Sequence, residues 1–291
     1  MNLSLQELSV RTQPAGGPVA AGVEQGPGQW IGHVGRVILF VHGYNNTFSV
    51  AREAYDTFSA GLAARAQDAA SQILDPLYRF YWPGDEDLGI LSFISYPVET
   101  EDAKESASRL VEFLRDLYGT GGHPARPIDI VSHSLGGRVV LETLTTLAQV
   151  GTLDGVFKRV CLMAPAVLVE DVEPGGSLYD GATLPESLTI LTSEDDWVLW
   201  LAFPLGQTLA EGGSGCALGR YGPPPGLPAR HEPVSGGVGH TEYWDCPDSV
   251  ARVIIDALGF TARRRELIGY STPGRETPPP RTIEGREVGG F

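Results

Sequence analysis

A serine between small residues stands where a predicted strand meets a predicted helix. Residues 132–137 read Ser-His-Ser-Leu-Gly-Gly, after an apolar strand at 127–132 and at the start of a helical stretch at 135–149. A sharp strand-turn-helix connection presents its central serine as a nucleophile and needs small residues two positions away on either side. Gly136 meets this condition, and Ser132, which replaces the usual first glycine, nearly does. Ser134 is therefore the predicted nucleophile and Ser132 the weaker candidate, although Ser-x-Ser-x-Gly also occurs in loops without function.

A glycine-containing turn follows the first apolar strand. The sequence Val41-His42-Gly43-Tyr44-Asn45 comes at the end of the apolar run 36–41. Acyl transfer builds negative charge on the substrate carbonyl oxygen, and backbone N–H groups can stabilise that charge in an oxyanion hole. We expect the N–H groups of Tyr44 and of Leu135, the residue after the nucleophile, to form this hole. The His-Gly pair alone is a weak signal, because glycine commonly ends a strand.

Activation of a serine requires a general base and an acid that orients the base. In hydrolases with a strand-turn-helix serine, the acid and then the histidine follow the serine along the chain. Only His231 and His240 follow Ser134 in this sequence. His240 lies in a loop just before the last predicted helix, whereas His231 lies in the stretch Pro-Ala-Arg-His-Glu-Pro, which is typical of a surface loop. His240 is the predicted base. The acid is expected after the strand 187–192, where residues 194–196 offer three carboxylates.

Several aromatic residues adjoin the predicted catalytic loops. They are Tyr44, Trp82, Trp197 and Trp244. Such residues could form an apolar substrate pocket. The alternative is that half or more of them are packed in the core, as aromatic residues usually are.

Short apolar strands alternate with helical patterns along the chain. The predicted strands are 36–41, 77–82, 127–132, 159–164 and 187–192, and the predicted helices are 49–70, 101–118, 135–149 and 248–258. Strands separated by helices indicate βαβ units, and runs that are apolar throughout indicate burial on both faces of a sheet. The sequence predicts an α/β fold with a mostly parallel sheet flanked by helices.

The predicted catalytic residues fall within one segment, and less regular segments surround or interrupt it. Residues 1–30 form an N-terminal extension with one predicted edge strand, and 31–270 form the predicted catalytic domain. The Gly- and Pro-rich stretch 206–239 lies between the candidate acid and base, so we interpret it as a lid or pocket wall. The tail 271–291 is predicted to be disordered.

The composition restricts the possible partners. The 291 residues include 21 Lys+Arg and 36 Asp+Glu, a net charge of 21 − 36 = −15, which disfavours binding to nucleic acid and to anionic membranes. The longest apolar runs are far shorter than the roughly 20 residues of a membrane span. Three cysteines without a C-x-x-C pair indicate neither a zinc site nor a disulfide framework, although a bridge between Cys216 and Cys246 remains open. We expect a cytoplasmic protein.

The motifs together resemble those of bacterial alpha/beta hydrolases of unknown function. The shared features are VHGYN followed by a helix, YWPGDEDLGILSFISY, SHSLGGRV, a T-S-x-x-D-W-x-L loop and a late Gly-His, within residues 37–259. In that family the acid follows a serine by three positions, and this spacing maps onto Ser193 and Asp196. The resemblance therefore implies Asp196 as the acid. It also implies an alpha/beta-hydrolase fold that needs no metal or organic cofactor.

The expected function is hydrolysis of small carboxylic esters through an acyl-enzyme intermediate. Ser134, Asp196 and His240 would form the triad of a carboxylesterase or lipase-like enzyme. An amidase, a thioesterase or an acyltransferase could use the same triad, and a non-catalytic binding protein could use the same fold. The sequence leaves the natural substrate and the oligomeric state open.

Overall fold

The computed structural model describes residues 1–27, 35–85, 96–120, 126–203, 215–234 and 237–260. At 96–99, 119–120 and 201–202 it describes the backbone alone. Within these residues, no helix is long and apolar enough to cross a membrane, and no group of three or more His, Cys, Asp or Glu side chains could hold a metal ion. The predicted tail 271–291 and part of the stretch 206–239 lie outside the described residues.

An eight-stranded sheet organises the described chain. Its order is β2-β1-β4-β3-β5-β6-β7-β8, and every neighbouring pair is parallel except β1 and β2. The strands are β1 (Glu7–Arg11), β2 (Val19–Gln25), β3 (Val37–Val41), β4 (Leu77–Tyr81), β5 (Ile128–His133), β6 (Phe157–Met163), β7 (Ser187–Thr192) and β8 (Ala229–Pro233). This architecture confirms the predicted α/β fold with a mostly parallel sheet.

Helices cover the sheet because its central strands are buried on both faces. Every residue of β3 and of β5 is buried. The helices are α1 (Phe48–Ala66), α2 (Ala70–Leu74), α3 (Tyr96–Arg115), α4 (Gly136–Val150), α5 (Tyr179–Thr183), α6 (Leu218–Tyr221) and α7 (Asp248–Ala257). Helix α1 packs against α7, and α3 packs against α4. The core thus lies between the sheet and these helix pairs.

The structure corrects the interpretation of two irregular segments. The stretch 206–239, which we interpret from the sequence as a lid or pocket wall, contains α6 and β8 in its described part, and β8 extends the sheet beside β7, so this part is not a continuous loop. β8 was hard to predict because it is an edge strand without apolar alternation. At the other edge, β1 is an inner strand with all five residues buried, and the unpredicted β2 is the edge.

The three cysteines are free thiols. Cys161 and Cys246 are buried and Cys216 is exposed, so the Cys216–Cys246 bridge considered from the sequence is absent. Burial raises the pKa of the Cys246 thiol to about 12. A thiol in that environment stays protonated and unreactive at neutral pH.

Candidate active site

Ser134 lies in a strained turn between β5 and α4. Its φ is +53°, in the left-handed region that a serine seldom adopts. The turn is tight, because a Cβ atom at Gly136 would lie 2.2 Å from the His42 carbonyl oxygen, and one at Gly43 would lie 2.8 Å from Ser134 Cβ. The small residues of the two motifs therefore bring the serine against the turn after β3.

The structure brings the three predicted triad residues together. His240 Nε2 lies 2.8 Å from Ser134 Oγ, and His240 Nδ1 lies 2.7 Å from Asp196 Oδ2. The Asp196 side chain has no exposed surface, whereas the His240 side chain is 12% exposed. One hydrogen-bonded series thus runs from a buried carboxylate to a serine at the surface of a cavity.

Two hydrogen bonds fix the loop that carries Asp196, one to its side chain and one to its backbone. Asp196 Oδ1 accepts a hydrogen bond from the Leu199 N–H at 3.0 Å, which leaves Oδ2 for His240. Its backbone carbonyl accepts from Arg220 Nη1 at 3.1 Å, an arginine of α6. The neighbouring Asp195 is exposed. Sequence reasoning missed Arg220, because it contacts the loop only through a backbone carbonyl.

The other candidate base lies away from Ser134. His231 belongs to β8, and its Nε2 lies 2.9 Å from the hydroxyl of Thr192 at the end of β7. His231 is exposed on an edge strand, where the sequence predicted a surface loop. Its position leaves His240 as the histidine beside the serine.

Another histidine, His133, holds the backbone of His240 in place. His133 Nε2 donates to the His240 backbone carbonyl at 2.8 Å, and the two rings lie 4.8 Å apart. Burial, with a smaller contribution from the nearby His240, lowers the pKa of His133 well below its ordinary value. His133 therefore remains neutral and anchors the loop that carries His240. The sequence places it next to Ser134 but gives no sign of this contact.

The turn after β3 lies beside the serine, where an oxyanion hole would be needed. The N–H groups of Asn45 and Asn46 both donate to the Gly84 carbonyl. Leu135 stands at the start of α4, where backbone N–H groups have no partner within the helix, and among the described residues no backbone carbonyl accepts from it. Tyr44 and Leu135 line one cavity together with Ser134.

A family model for "alpha/beta hydrolase of unknown function (DUF900)" matches residues 31–212. The chain belongs to this alpha/beta hydrolase family. The matched range includes the residues at positions 134 and 196 and ends before position 240. Strands β1, β2 and β8 lie outside the matched range. No curated protein matches the chain.

Solved structures similar to this hydrolase include three proteins described as esterases. Esterase PE8 is 17% identical over 86% of this chain and 99% of its own, with a TM-score of 0.43. An esterase/lipase from an uncultured bacterium is 15% identical over 78% and 76% of the two chains, with a TM-score of 0.44. A hyperthermophilic esterase from the archaeon Pyrobaculum calidifontis is 16% identical over 78% of each chain, with a TM-score of 0.43.

The cavity of the hydrolase at Ser134 has a volume of about 370 Å³. Its lining is mostly apolar, with a few polar groups. The lining residues are Tyr44, Asn45, Asn46, Val50, His133, Ser134, Leu135, Ala166, Val198, Leu199, Phe203, His240, Thr241 and Trp244. A cavity of this size and character suits a small, largely apolar ligand.

Only one of the three tryptophans predicted for the pocket lines it. Trp244 does so, whereas Trp82 is fully buried and stacks on the His42 ring at 5.6 Å. Trp197 is 63% exposed and is not among the lining residues. Trp82 is held in the core because its indole N–H donates to the His42 carbonyl at 2.8 Å.

His42 of the hydrolase is a buried neutral histidine. Its Nδ1–H donates to the Gly43 carbonyl at 2.8 Å, and its Nε2 accepts from the Trp82 backbone N–H at 3.2 Å. Burial lowers the pKa of His42 to about 3. A proton on Nε2 would face another N–H, so protonation is disfavoured in the folded state and not in the unfolded one.

We expect His42 to make the hydrolase sensitive to acid. The pKa of His42 is lower in the folded than in the unfolded chain. Neutral His42 therefore stabilises the folded state fully above pH 6.5, and this stabilisation is lost as the pH falls towards 3. Between pH 7 and pH 5 this corresponds to about 2 kcal/mol of unfolding free energy. Urea denaturation measures the unfolding free energy at both pH values. Its decrease from pH 7 to pH 5 should be smaller in His42→Gln than in the wild type by about this amount. Equal losses in the variant and the wild type would contradict this assignment.

Proposed function

We propose that this alpha/beta hydrolase is a serine esterase that cleaves neutral carboxylic esters of short to medium acyl chain. The observation that carries the proposal is the hydrogen-bonded series from Asp196 through His240 to Ser134, which lies at an apolar cavity. A serine in such a series can be activated as a nucleophile by the adjacent imidazole.

In the first half of the reaction, Ser134 Oγ attacks the ester carbonyl carbon and His240 Nε2 takes the serine proton. Asp196 holds the Nδ1–H tautomer and stabilises the imidazolium that forms. Negative charge develops on the former carbonyl oxygen, and the N–H groups of Tyr44 and Leu135 are the proposed donors to it. The tetrahedral intermediate then collapses: the C–O bond to the alcohol breaks, and His240 returns the proton to the leaving oxygen.

In the second half, water attacks the acyl-serine ester. His240 takes a proton from the water, and the second tetrahedral intermediate expels Ser134 Oγ, which recovers the proton. The carboxylic acid leaves and the triad returns to its starting state. All of these proton transfers pass through one nitrogen, His240 Nε2, which lies 2.8 Å from Ser134 Oγ in the resting site.

The charge and the lining of the cavity support neutral acyl groups. The chain carries a net charge of −15, which repels an anionic substrate as it approaches. The apolar lining, with Val198, Leu199, Phe203 and Trp244, offers contacts to a hydrocarbon chain. A volume of about 370 Å³ favours short to medium chains over long ones.

A series of p-nitrophenyl esters tests the proposed substrate class. We expect kcat/KM to rise from acetate to butyrate by up to about fourfold for each buried methylene, because each is worth up to ~0.8 kcal/mol. The rise should end between octanoate and palmitate, where the cavity is filled. A butyrate ester should exceed a hemisuccinate ester, which matches its carbon count but adds a carboxylate. A preference for palmitate or hemisuccinate would contradict the proposed class, and no turnover of any ester would contradict ester hydrolysis itself.

A further inference from the structure

A buried arginine from the N-terminal extension lies beside the turn that follows β3. The Arg11 side chain, at the end of β1, has no exposed surface, and it pairs with the carboxylate of Asp85, which is 5% exposed. Arg11 lies outside the range that the family model matches. Nothing in the proposed reaction requires a cation at this position, so its burial needs another explanation.

The Arg11 guanidinium joins two loops of the site at one atom. Its Nη1 donates to the Trp82 carbonyl at 2.8 Å and to the Asn46 carbonyl at 3.1 Å. The first carbonyl belongs to the loop after β4 and the second to the loop after β3. The Nε and Nη2 atoms donate to the Gln13 and Pro14 carbonyls, at 3.1 and 3.3 Å, so the fork also fixes the chain that follows β1.

Asn46 carries this restraint to the proposed oxyanion hole. Its side-chain Nδ2 donates to the carbonyls of Tyr44 and Gly43, at 2.8 and 3.0 Å. Asn45, which lies between Tyr44 and Asn46, has a left-handed φ of +61°. Asparagine adopts that conformation more readily than most residues, and the two hydrogen bonds from Asn46 fix the turn on either side of it. The backbone around Tyr44 is therefore shaped by Asn46, which Arg11 holds.

We infer that Arg11 is a positioning residue for the oxyanion hole, acting through Asn46 on the backbone of Tyr44. The inference rests on the proposed function, because it concerns the same reaction. Arginine suits the task because its planar fork serves several acceptors at once, while Asp85 balances its charge. A lysine would keep the charge but could not bridge the same set of carbonyls.

Arg11→Lys tests the inference, with Arg52→Lys as the matched control. Arg52 also makes a two-point contact to β1, with the buried Glu7, but it does not contact the loop after β3. For Arg11→Lys we expect the rate of fluorophosphonate labelling and kcat to fall by about 10- to 100-fold, since small misplacements of catalytic groups have effects of this order. KM for the butyrate ester should stay nearly unchanged. The labelled fraction at long times should stay complete, which a loss of folded protein would not allow.

Asn46→Ala provides a second test that leaves the Arg11–Asp85 pair intact. It removes the two side-chain donors to the loop, and we expect the same slow but complete labelling. This variant decides the question if Arg11→Lys does not fold.

The outcomes separate the inference from the proposed function. Wild-type labelling rates in Arg11→Lys, or in Asn46→Ala where Arg11→Lys does not fold, would overturn the role of Arg11 and leave the esterase proposal standing. Equal slowing in Arg52→Lys would also overturn that role, since it would indicate a general effect of loosening β1. A wild-type protein that is neither labelled nor active on esters would overturn both.

Discussion

Replacing Ser134 by alanine is expected to abolish ester hydrolysis and covalent labelling by a fluorophosphonate. The variant lacks the oxygen that would form the acyl-enzyme, and His240 Nε2 loses its partner at 2.8 Å. By analogy with the subtilisin serine, kcat should fall by about 10⁶-fold. Initial rates with p-nitrophenyl butyrate, together with the mass of the labelled protein, measure the effect. Alanine should be tolerated by the fold, because the φ of +53° is no more strained for alanine than for serine.

Ser132→Ala is the matched control for this prediction. Ser132 is also buried, two residues earlier on β5, and its hydroxyl has no hydrogen-bond partner in the described chain. We expect Ser132→Ala to be labelled at about the wild-type rate. Labelling that persists in Ser134→Ala and disappears in Ser132→Ala would move the nucleophile to the strand and remove the turn from the mechanism.

The proposed catalytic residues were predictable because their chemistry depends on local sequence. The turn at Ser134 needs small neighbours, and the backbone clash that a side chain at Gly136 would cause explains that requirement physically. His240 could be found because few histidines follow the serine. The choice of Asp196 among three carboxylates depended on a family resemblance and not on the residues alone.

The residues that hold the site could not be predicted, because they act through backbone atoms. Arg11 contacts the carbonyls of Asn46 and Trp82, Arg220 contacts that of Asp196, and His133 contacts that of His240. A carbonyl accepts from any donor, so such contacts leave no pairing in the sequence. The four contacts also cross 24 to 107 positions of the chain, and only the fold brings them together.

Trp82 and Trp197, which the sequence predicts to line the pocket, do not line it, for a related reason. Proximity in sequence to a catalytic loop does not fix the direction of a side chain. Trp82 follows β4 directly but turns into the core, where it stacks on His42. Trp197 follows Asp196 directly, yet it is exposed while Val198 and Leu199 face the cavity. Likewise, the sequence predicts a loop at the edge strand β8, because its consecutive polar residues show no apolar alternation.

Replacing Asp196 by asparagine is expected to lower kcat by about 10⁴-fold while leaving the fold in place. The Leu199 N–H donates to Oδ1, so the asparagine should keep its oxygen there and turn its NH₂ group towards His240 Nδ1. The imidazole must then accept at Nδ1, and its proton moves to Nε2, the atom that faces Ser134 Oγ. A protonated Nε2 cannot take the serine proton, and the imidazolium loses its buried counter-charge.

Asp195→Asn is the matched control, because it removes the same charge one residue away. It separates the loss of the Asp196–His240 contact from a general change in the electrostatic field. Asp195 is exposed, so solvent screens its charge, and we expect kcat to change little. Fluorophosphonate should still label Asp196→Asn completely but slowly, because the serine remains while its activation is lost. If Asp195→Asn shows the 10⁴-fold loss and Asp196→Asn does not, the acid loop is out of register by one residue. If both variants stay active, the carboxylate bonded to His240 has no part in orienting it, and the proposed triad reduces to a serine and a histidine.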